Sequence, residues 1–310
     1  MPGIGIITNP NSKLNKRNPM RPKLLGYILG QNGIIEMTNS PDELETVAER
    51  FKRDDISILA INGGDGTISQ TISKFIKVYG DTPLPKIALL RGGTMNVIAL
   101  NLGIKGQPEK LLSVLLEKVS SPDRMKTIDV DTMKIDTNFG FLYADGTSAL
   151  VLEEFYKNKS NWLGAALLGI RLALSAIFRT AFSQRLIRSR PLIFTPLPQP
   201  QIKHESLGVF ASTIERLPLN LPMFAKGTPK RQIQAISVTC PPKQLVWRLP
   251  SVFLSSKPGI VGRVKTVFFC DKLELNSKQY CPYTLDGELY FPENEKTEVS
   301  VGPTVKFILL

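Results

Sequence analysis

Three short stretches of this sequence carry side chains that could do chemistry. The first is Asn62-Gly63-Gly64-Asp65-Gly66-Thr67. Glycine at 63, 64 and 66 leaves no β-carbon between the backbone and a bound group. The N–H groups of such a turn, at the positive end of a helix, can hold phosphate. Asp65 is an acid inside that turn. It would repel phosphate unless a divalent cation or a substrate hydroxyl stood between them. The turn therefore points to phosphoryl transfer with magnesium, and Asp65 to the metal–phosphate network. The second stretch, Gly92-Gly93-Thr94-Met95-Asn96, repeats the small residues and adds a hydroxyl and an amide. Taken alone, it also reads as a helix cap. The third, Leu285-Asp286-Gly287-Glu288, sets two acids two positions apart late in the chain. On a strand they would share a face, and at a turn both could reach a cleft. Taken alone, it also reads as a surface turn.

The hydrophobic pattern predicts the elements that must position these stretches. Residues 56–61 are an apolar, β-branched run that reads as a buried parallel strand, and residues 68–78 read as a helix. Further strands are predicted at 3–8, 33–38 and 86–90, with helices at 19–31, 40–52 and 108–119. Ser40-Pro41-Asp42-Glu43 is a helix start with Ser40 as the cap. This alternation makes residues 1–125 an open, mostly parallel α/β domain. Ligands of such sheets lie outside the carboxyl ends of the strands, where Asn9, Thr38, Asp65 and Thr94 fall. From Thr127 short strands dominate, at 127–135, 207–212, 234–239, 265–269 and 273–275. They predict a second, antiparallel β domain over 126–297, with a last strand near 298–310 placed to pack back on the first. Residues 161–182 are apolar but interrupted by Arg171 and Arg179. A membrane span needs about 20 residues with few charges, so spanning is not expected. Two readings of this stretch stay open: a core or domain-packing helix, or a helix resting on lipid.

At 310 residues with 42% hydrophobic content, two well-packed domains are expected. Cys240, Cys270 and Cys281 are odd in number and fit neither a disulfide framework nor a zinc site. They read as buried thiols of a cytoplasmic protein. The N-terminus shows no charged region followed by a long apolar run, so no secretory signal is expected. The lone His204 has no partner pattern. The net charge of +12 falls in blocks. Lys13, Lys16 and Arg17 precede the first acid; Arg185, Arg188 and Arg190 lie in the acid-free stretch 155–204; and nine Lys and Arg occupy the acid-free stretch 216–270. Such blocks suit a polyanion: nucleotide phosphates, nucleic acid or the anionic face of a membrane. An ordinary solvated basic surface is the simplest reading of any one block. Aromatic interleaving and recognisable modules are missing, so no nucleic-acid partner is expected. A homodimer is one arrangement consistent with the sequence.

Together, in this order and spacing, the strand with Asn9-Pro10, the turn Gly63–Thr67, Gly93-Thr94-Met95-Asn96 and Asp286-Gly287-Glu288 resemble the catalytic family of diacylglycerol kinases and related lipid kinases. The resemblance implies an N-terminal α/β domain of the NAD-kinase and diacylglycerol-kinase type, followed by an antiparallel β-sandwich, with ATP and magnesium between them. It implies transfer of the γ-phosphate to the hydroxyl of diacylglycerol or a related lipid, by a cytoplasmic protein peripherally attached to the membrane. Nucleotide contacts are implied at Asn9, Thr38, Gly63, Gly64, Asp65, Gly66, Thr67, Ser69, Gly93, Thr94 and Asn96. Asp286 is implied as the proton acceptor, with Glu288 orienting it or helping to hold metal; Asp65 is the alternative base. The sequence departs from the family after Asn9-Pro10, where a glycine usually follows soon and Asn11-Ser12-Lys13 stands here, and at Val97, where Asp or His is usual. Residues 225–230 carry no acid where bacterial relatives have an acidic stretch, so no structural metal is expected there. A soluble kinase of the NAD-kinase type and a fold that binds without turnover are the competing readings.

Overall fold

Strongly apolar, β-branched runs alternate with amphipathic helices in the first part of the chain, and the computed structural model shows a parallel sheet there. It describes residues 3–157, 175, 180–217, 221–254, 256–279, 281–292 and 294–310. Most of the apolar stretch 161–182 lies outside the described residues, and both readings of it with that stretch. The strands β1 (Ile4–Thr8), β2 (Gly33–Met37), β3 (Ile58–Asn62) and β4 (Lys86–Leu89) pair in parallel in the order β2-β1-β3-β4. Every residue of β1 and β3 is buried, as expected of strands covered on both faces. The helices Arg21–Leu29, Glu43–Arg53, Asp65–Tyr79 and Pro108–Ser120 turn Leu25, Phe51, Phe75 and Leu112 onto this sheet. The strand order reverses between β1 and β3, which opens a crevice at their carboxyl ends. Asn9 and Gly63 are the residues that leave those two strands. The helix expected from Ser40 begins at Glu43 with Asp42 at its cap position. Glu43 reaches back instead, its carboxylate accepting from the Asn39 N–H at 2.8 Å.

The second half builds β5 (Thr127–Ile135), β6 (Asn138–Gly140), β7 (Leu142–Asp145), β8 (Arg190–Leu197), β9 (Ile202–Ser206) and β10 (Gly208–Ser212). It continues with β11 (Ile233–Val238), β12 (Ile260–Val261), β13 (Lys265–Cys270), β14 (Lys272–Asn276), β15 (Tyr283–Leu285), β16 (Glu288–Tyr290) and β17 (Lys296–Ile308). Seven of these form an antiparallel sheet in the order β12-β13-β11-β10-β7-β15-β16. The others extend the first sheet to ten strands, in the order β2-β1-β3-β4-β17-β14-β8-β9, with β5 attached along β17 and β6 along β5. Strand β17 joins the two parts: its first half pairs antiparallel with β14, and Phe307 near its end pairs parallel with Ile87 of β4. Between the sheets lies a core of Phe194, Leu273, Leu275 and Val299 from one layer and Tyr143, Val209, Tyr283 and Leu285 from the other. The sandwich thus shares one of its two layers with the α/β part.

One basic residue assigned to the membrane face is not on the surface. Arg190 is 6% exposed, and its guanidinium donates to the buried Asp145 carboxylate at 2.5 Å. Asp145 also accepts from the Tyr143 hydroxyl at 2.9 Å and the Val209 N–H at 2.7 Å. A charge enclosed this way cannot meet headgroups; β8 begins at Arg190 and carries it into the sandwich. Arg188, two residues earlier, is exposed. Removing one partner of a buried pair strands the other charge and costs about 3–5 kcal/mol. Arg190→Met is therefore expected to lose about 3 kcal/mol or more in urea unfolding, and Arg188→Met less than about 0.5 kcal/mol. Equal losses would mean that the Asp145 pair does not hold the sandwich.

Candidate functional site

Because β3 delivers Asn62 to the crevice, the chain must turn at once into the helix Asp65–Tyr79, and the glycines make that turn. Gly64 occupies the cap position of the helix and, lacking a side chain, supplies no cap to its first N–H groups. The glycines were expected to clear the backbone for a ligand, but the structure gives most of them another role. A β-carbon on Gly93 would lie 2.3 Å from Gly64 Cα, one on Gly92 2.5 Å from Asn62 Oδ1, and one on Gly63 2.4 Å from Thr67 Cβ. The two glycine turns abut, and their bare backbones admit each other. Gly64 alone keeps ordinary room, 3.5 Å to Gly93 Cα.

Asparagines knit this crevice. Asn9 donates its side-chain amide to the Thr67 hydroxyl at 2.9 Å, and its N–H reaches the Asn62 carbonyl at 3.1 Å. The buried Asn15 donates to the Asn9 carbonyl at 2.8 Å. Asn96, in the left-handed region at φ 47°, closes its own turn, accepting from the Gly93 N–H at 3.2 Å and donating to the Gly93 carbonyl at 2.8 Å. Asn96 is thus buried as a turn builder, whereas Thr94 and Met95 are exposed at the rim. Thr38 is buried at the end of β2, its N–H on the Thr8 carbonyl at 3.0 Å. Lys13, Lys16 and Arg17 are exposed on the short helix Lys13–Arg17, which hangs from the second turn through the Leu14 N–H and the Gly92 carbonyl at 3.2 Å.

The late acids arrive at the same place. The pairing of β7 with β15 sets Tyr143 opposite Leu285, so the turn after Leu285 projects toward the helix Asp65–Tyr79. Asp286 takes φ 51° and Gly287 φ 89° there, a left-handed pair that makes the turn tight. The Ser69 hydroxyl donates to Asp286 Oδ2 at 2.5 Å. The N–H groups of Phe141 and Leu142 donate to Asp286 Oδ1 at 3.1 and 2.8 Å. Glu288 Oε1 lies over the first turn, 2.7 Å from where a Gly66 β-carbon would stand. Burial pushes the Asp286 carboxyl up to about 6 against those three donors, and the nearby Asp65 adds to the rise. Burial also raises Asp65 and Glu288. Asp65 accepts the Ile98 N–H at 3.2 Å and so caps the helix Val97–Asn101.

Some site residues were missed in the sequence. Asn15 supports Asn9, and the Tyr156 hydroxyl donates to the Gly287 carbonyl at 2.9 Å from the helix Thr147–Lys157. Gly140 gave a usable signal, a glycine within a strand pattern marking close approach. A β-carbon there would lie 2.5 Å from Asp286 Oδ2. Among the described residues, no group of three or more His, Cys, Asp or Glu forms a metal cluster, and no helix is long and apolar enough to cross a membrane.

Packing two bare turns against each other gives a clean test. Gly93→Ala is expected to cost about 1–3 kcal/mol by forced separation of the turns. Gly64→Ala, with room for a methyl group, should cost less than half as much. The reverse order in thermal or urea unfolding would contradict the abutting geometry.

Residues 4–128 match the family model described as the diacylglycerol kinase catalytic domain, which bears out the resemblance read from the motifs. The fold is similar to that of a crystal structure of a diacylglycerol kinase from Bacillus anthracis str. Sterne, with TM-score 0.68 and 11% identity over 100% of this chain and 97% of that one. A structure of a candidate diacylglycerol kinase from the same organism gives TM-score 0.72 at 13% identity, covering 100% of this chain and 97% of that one. No curated protein sequence matches the chain.

Proposed function

We propose, from the premise that residues 4–128 belong to the diacylglycerol kinase catalytic-domain family, that this kinase-type protein is an ATP-dependent lipid kinase. In this reading it works at a membrane surface and moves the γ-phosphate of ATP to the hydroxyl of diacylglycerol or a related lipid. One observation carries it: Asp286, near the end of the chain, is held on Ser69, one turn into the helix that starts at the glycine turn. A proton acceptor and a phosphate-binding helix end therefore share one crevice.

The residues present suit a nucleoside triphosphate. The uncapped N-terminus of the 15-residue helix Asp65–Tyr79 offers N–H donors and a positive dipole end. Asn9 and Thr67 hold the rim of the turn. Asp65 and the nucleotide phosphates would hold magnesium, which when bound neutralises charge on the phosphates. Asp286 accepts the proton of the lipid hydroxyl as the new P–O bond forms. Its three donors orient it, and its elevated pKa makes it a better base than an ordinary carboxylate. Glu288, beside it across Gly287, orients Asp286 or helps to hold the metal, and the Tyr156 hydroxyl holds the turn at the Gly287 carbonyl.

The assay is transfer of labelled phosphate from ATP to a panel of neutral lipids, read by mass spectrometry, with NAD as the soluble acceptor. Phosphorylated lipid is expected; labelled NAD alone would replace this reading with a soluble kinase. Asp286→Asn is expected to lower turnover by about 10²–10⁴ while ATP binding by calorimetry is kept. Retained turnover would move the base role to Asp65.

The raised pKa also fixes a pH dependence. Turnover needs Asp286 ionised, so kcat/KM should rise through about pH 6 and then level. Ser69→Ala removes a donor that holds the pKa down, so the inflection should move to higher pH. An unmoved inflection would separate Ser69 from the base. For stability the sign is opposite. The folded pKa of about 6 exceeds the unfolded value, so this group favours folding at low pH and its contribution is lost as pH rises through about 6. At pH 8, Asp286→Asn should melt no lower than the parent protein.

A further inference from the structure

We propose that the helix Leu245–Phe253, together with the edge strand β12, is the face on which the protein docks to an anionic lipid bilayer. The helix lies across the outer side of the seven-stranded sheet. Leu245 and Val252 are buried there with Ile236, Val238 and Val267. Its other side carries Trp247, 76% exposed, and Leu254, which ends the helix 64% exposed. Seven residues are nearly two helical turns, so these two side chains share one face. Ile260 and Val261 of β12 continue the patch at 42% and 65% exposure. Lys265 joins helix and edge. It sits on β13 opposite β12, and its ammonium donates to the Val252 carbonyl at 3.1 Å and to the Leu254 carbonyl.

Charge identifies the occupant. Lys243, Arg248, Lys257 and Arg263 are all exposed around this patch. They make no ion pair among the described residues, and the stretch 216–270 contains no acid to neutralise them. An apolar strip rimmed only by cations suits an anionic interface: the cations meet lipid phosphates while leucine, isoleucine and valine enter the acyl boundary. An exposed tryptophan fits the same depth, its ring apolar and its N–H polar. A protein partner would meet the same strip with acidic residues, and a second copy of this chain would set cations against cations. The inference deepens the lipid-kinase reading by naming the face that meets the membrane, but its test does not depend on turnover.

Trp162 and Trp247 are the two tryptophans, so in the full chain with Trp162→Phe the emission reports on position 247 alone. Vesicles of phosphatidylcholine with about one-third phosphatidylserine should shift that emission to the blue and shield it from acrylamide, and added salt should reverse both. Phosphatidylcholine alone should do neither. In wild-type background, Lys243→Gln/Arg248→Gln/Lys257→Gln/Arg263→Gln should lower sedimentation with the anionic vesicles about tenfold or more, leaving phosphorylation of detergent-dispersed lipid unchanged. Sedimentation with an unmoved Trp247 emission would transfer docking to another basic block and overturn the proposal. A blue shift that grows with protein concentration in the absence of vesicles would assign the face to a second copy and overturn it too. Absence of lipid phosphorylation by the wild-type protein in detergent would count against the kinase reading and leave the docking face standing.

Discussion

The hydrogen bond from Ser69 to Asp286 is the constraint on which the site depends. It joins residues 217 positions apart, one on a helix of the parallel part and one on a turn of the seven-stranded sheet. A carboxylate enclosed there loses several kcal/mol of hydration. Hydrogen bonds to a charged group return about 1.5–3 kcal/mol each, and Asp286 has three donors: one hydroxyl and two backbone N–H groups. The pKa is raised all the same, so burial outweighs the donors by a modest margin. The carboxyl is therefore held firmly in place yet keeps a strong affinity for a proton. A base needs both properties.

That geometry is built by sheet pairing more than by the turns themselves. Strand β17 takes part in both halves of the molecule, pairing with β14 and β5 along its length and with β4 near its end. The seven-stranded sheet packs its inner face on the same layer. A hinge between two separable domains would have to cut across β17 and its ladder of paired backbone groups, each expensive to leave unmade. Asp286 is consequently preset against Ser69 by continuous sheet structure, and its meeting with the glycine turn does not await closure of a cleft.

Much of this was legible in the sequence, and the exceptions have physical causes. Strand β5 coincides with the predicted 127–135. The glycine turn and the late acid pair were recognisable from residue type alone. That they touch was not, since a contact over 217 residues leaves no local trace. The helix Leu245–Phe253 was hidden by Pro250 inside it, which argues against helix wherever it occurs in a pattern. The cap of the helix Glu43–Arg53 was misplaced because Ser40, Asp42 and the proline between them satisfy the same rule. The glycines were read as making space for a ligand. Steric demand by a neighbouring backbone has the same signature in sequence, and only the packing of the two turns separates them.

The basic residues show most clearly why composition is not a map of the surface. Of the arginines and lysines in the acid-free stretches, Arg190 is buried on Asp145, Lys265 is tied to backbone carbonyls, and Arg21 is 8% exposed on Glu109 at 2.7 Å. Each carries a charge in the total of +12, yet their fields are cancelled locally or held in the interior. What the surface presents is the remainder, such as Lys13, Lys16 and Arg17 at one place and Arg248, Lys257 and Arg263 at another. Screening over about 8–10 Å keeps such groups nearly independent at physiological salt. Long-range attraction then depends less on net charge than on whether a cationic group sits beside exposed apolar surface. Exposed Trp247, Leu254 and Val261 provide that combination beside the second of these groups.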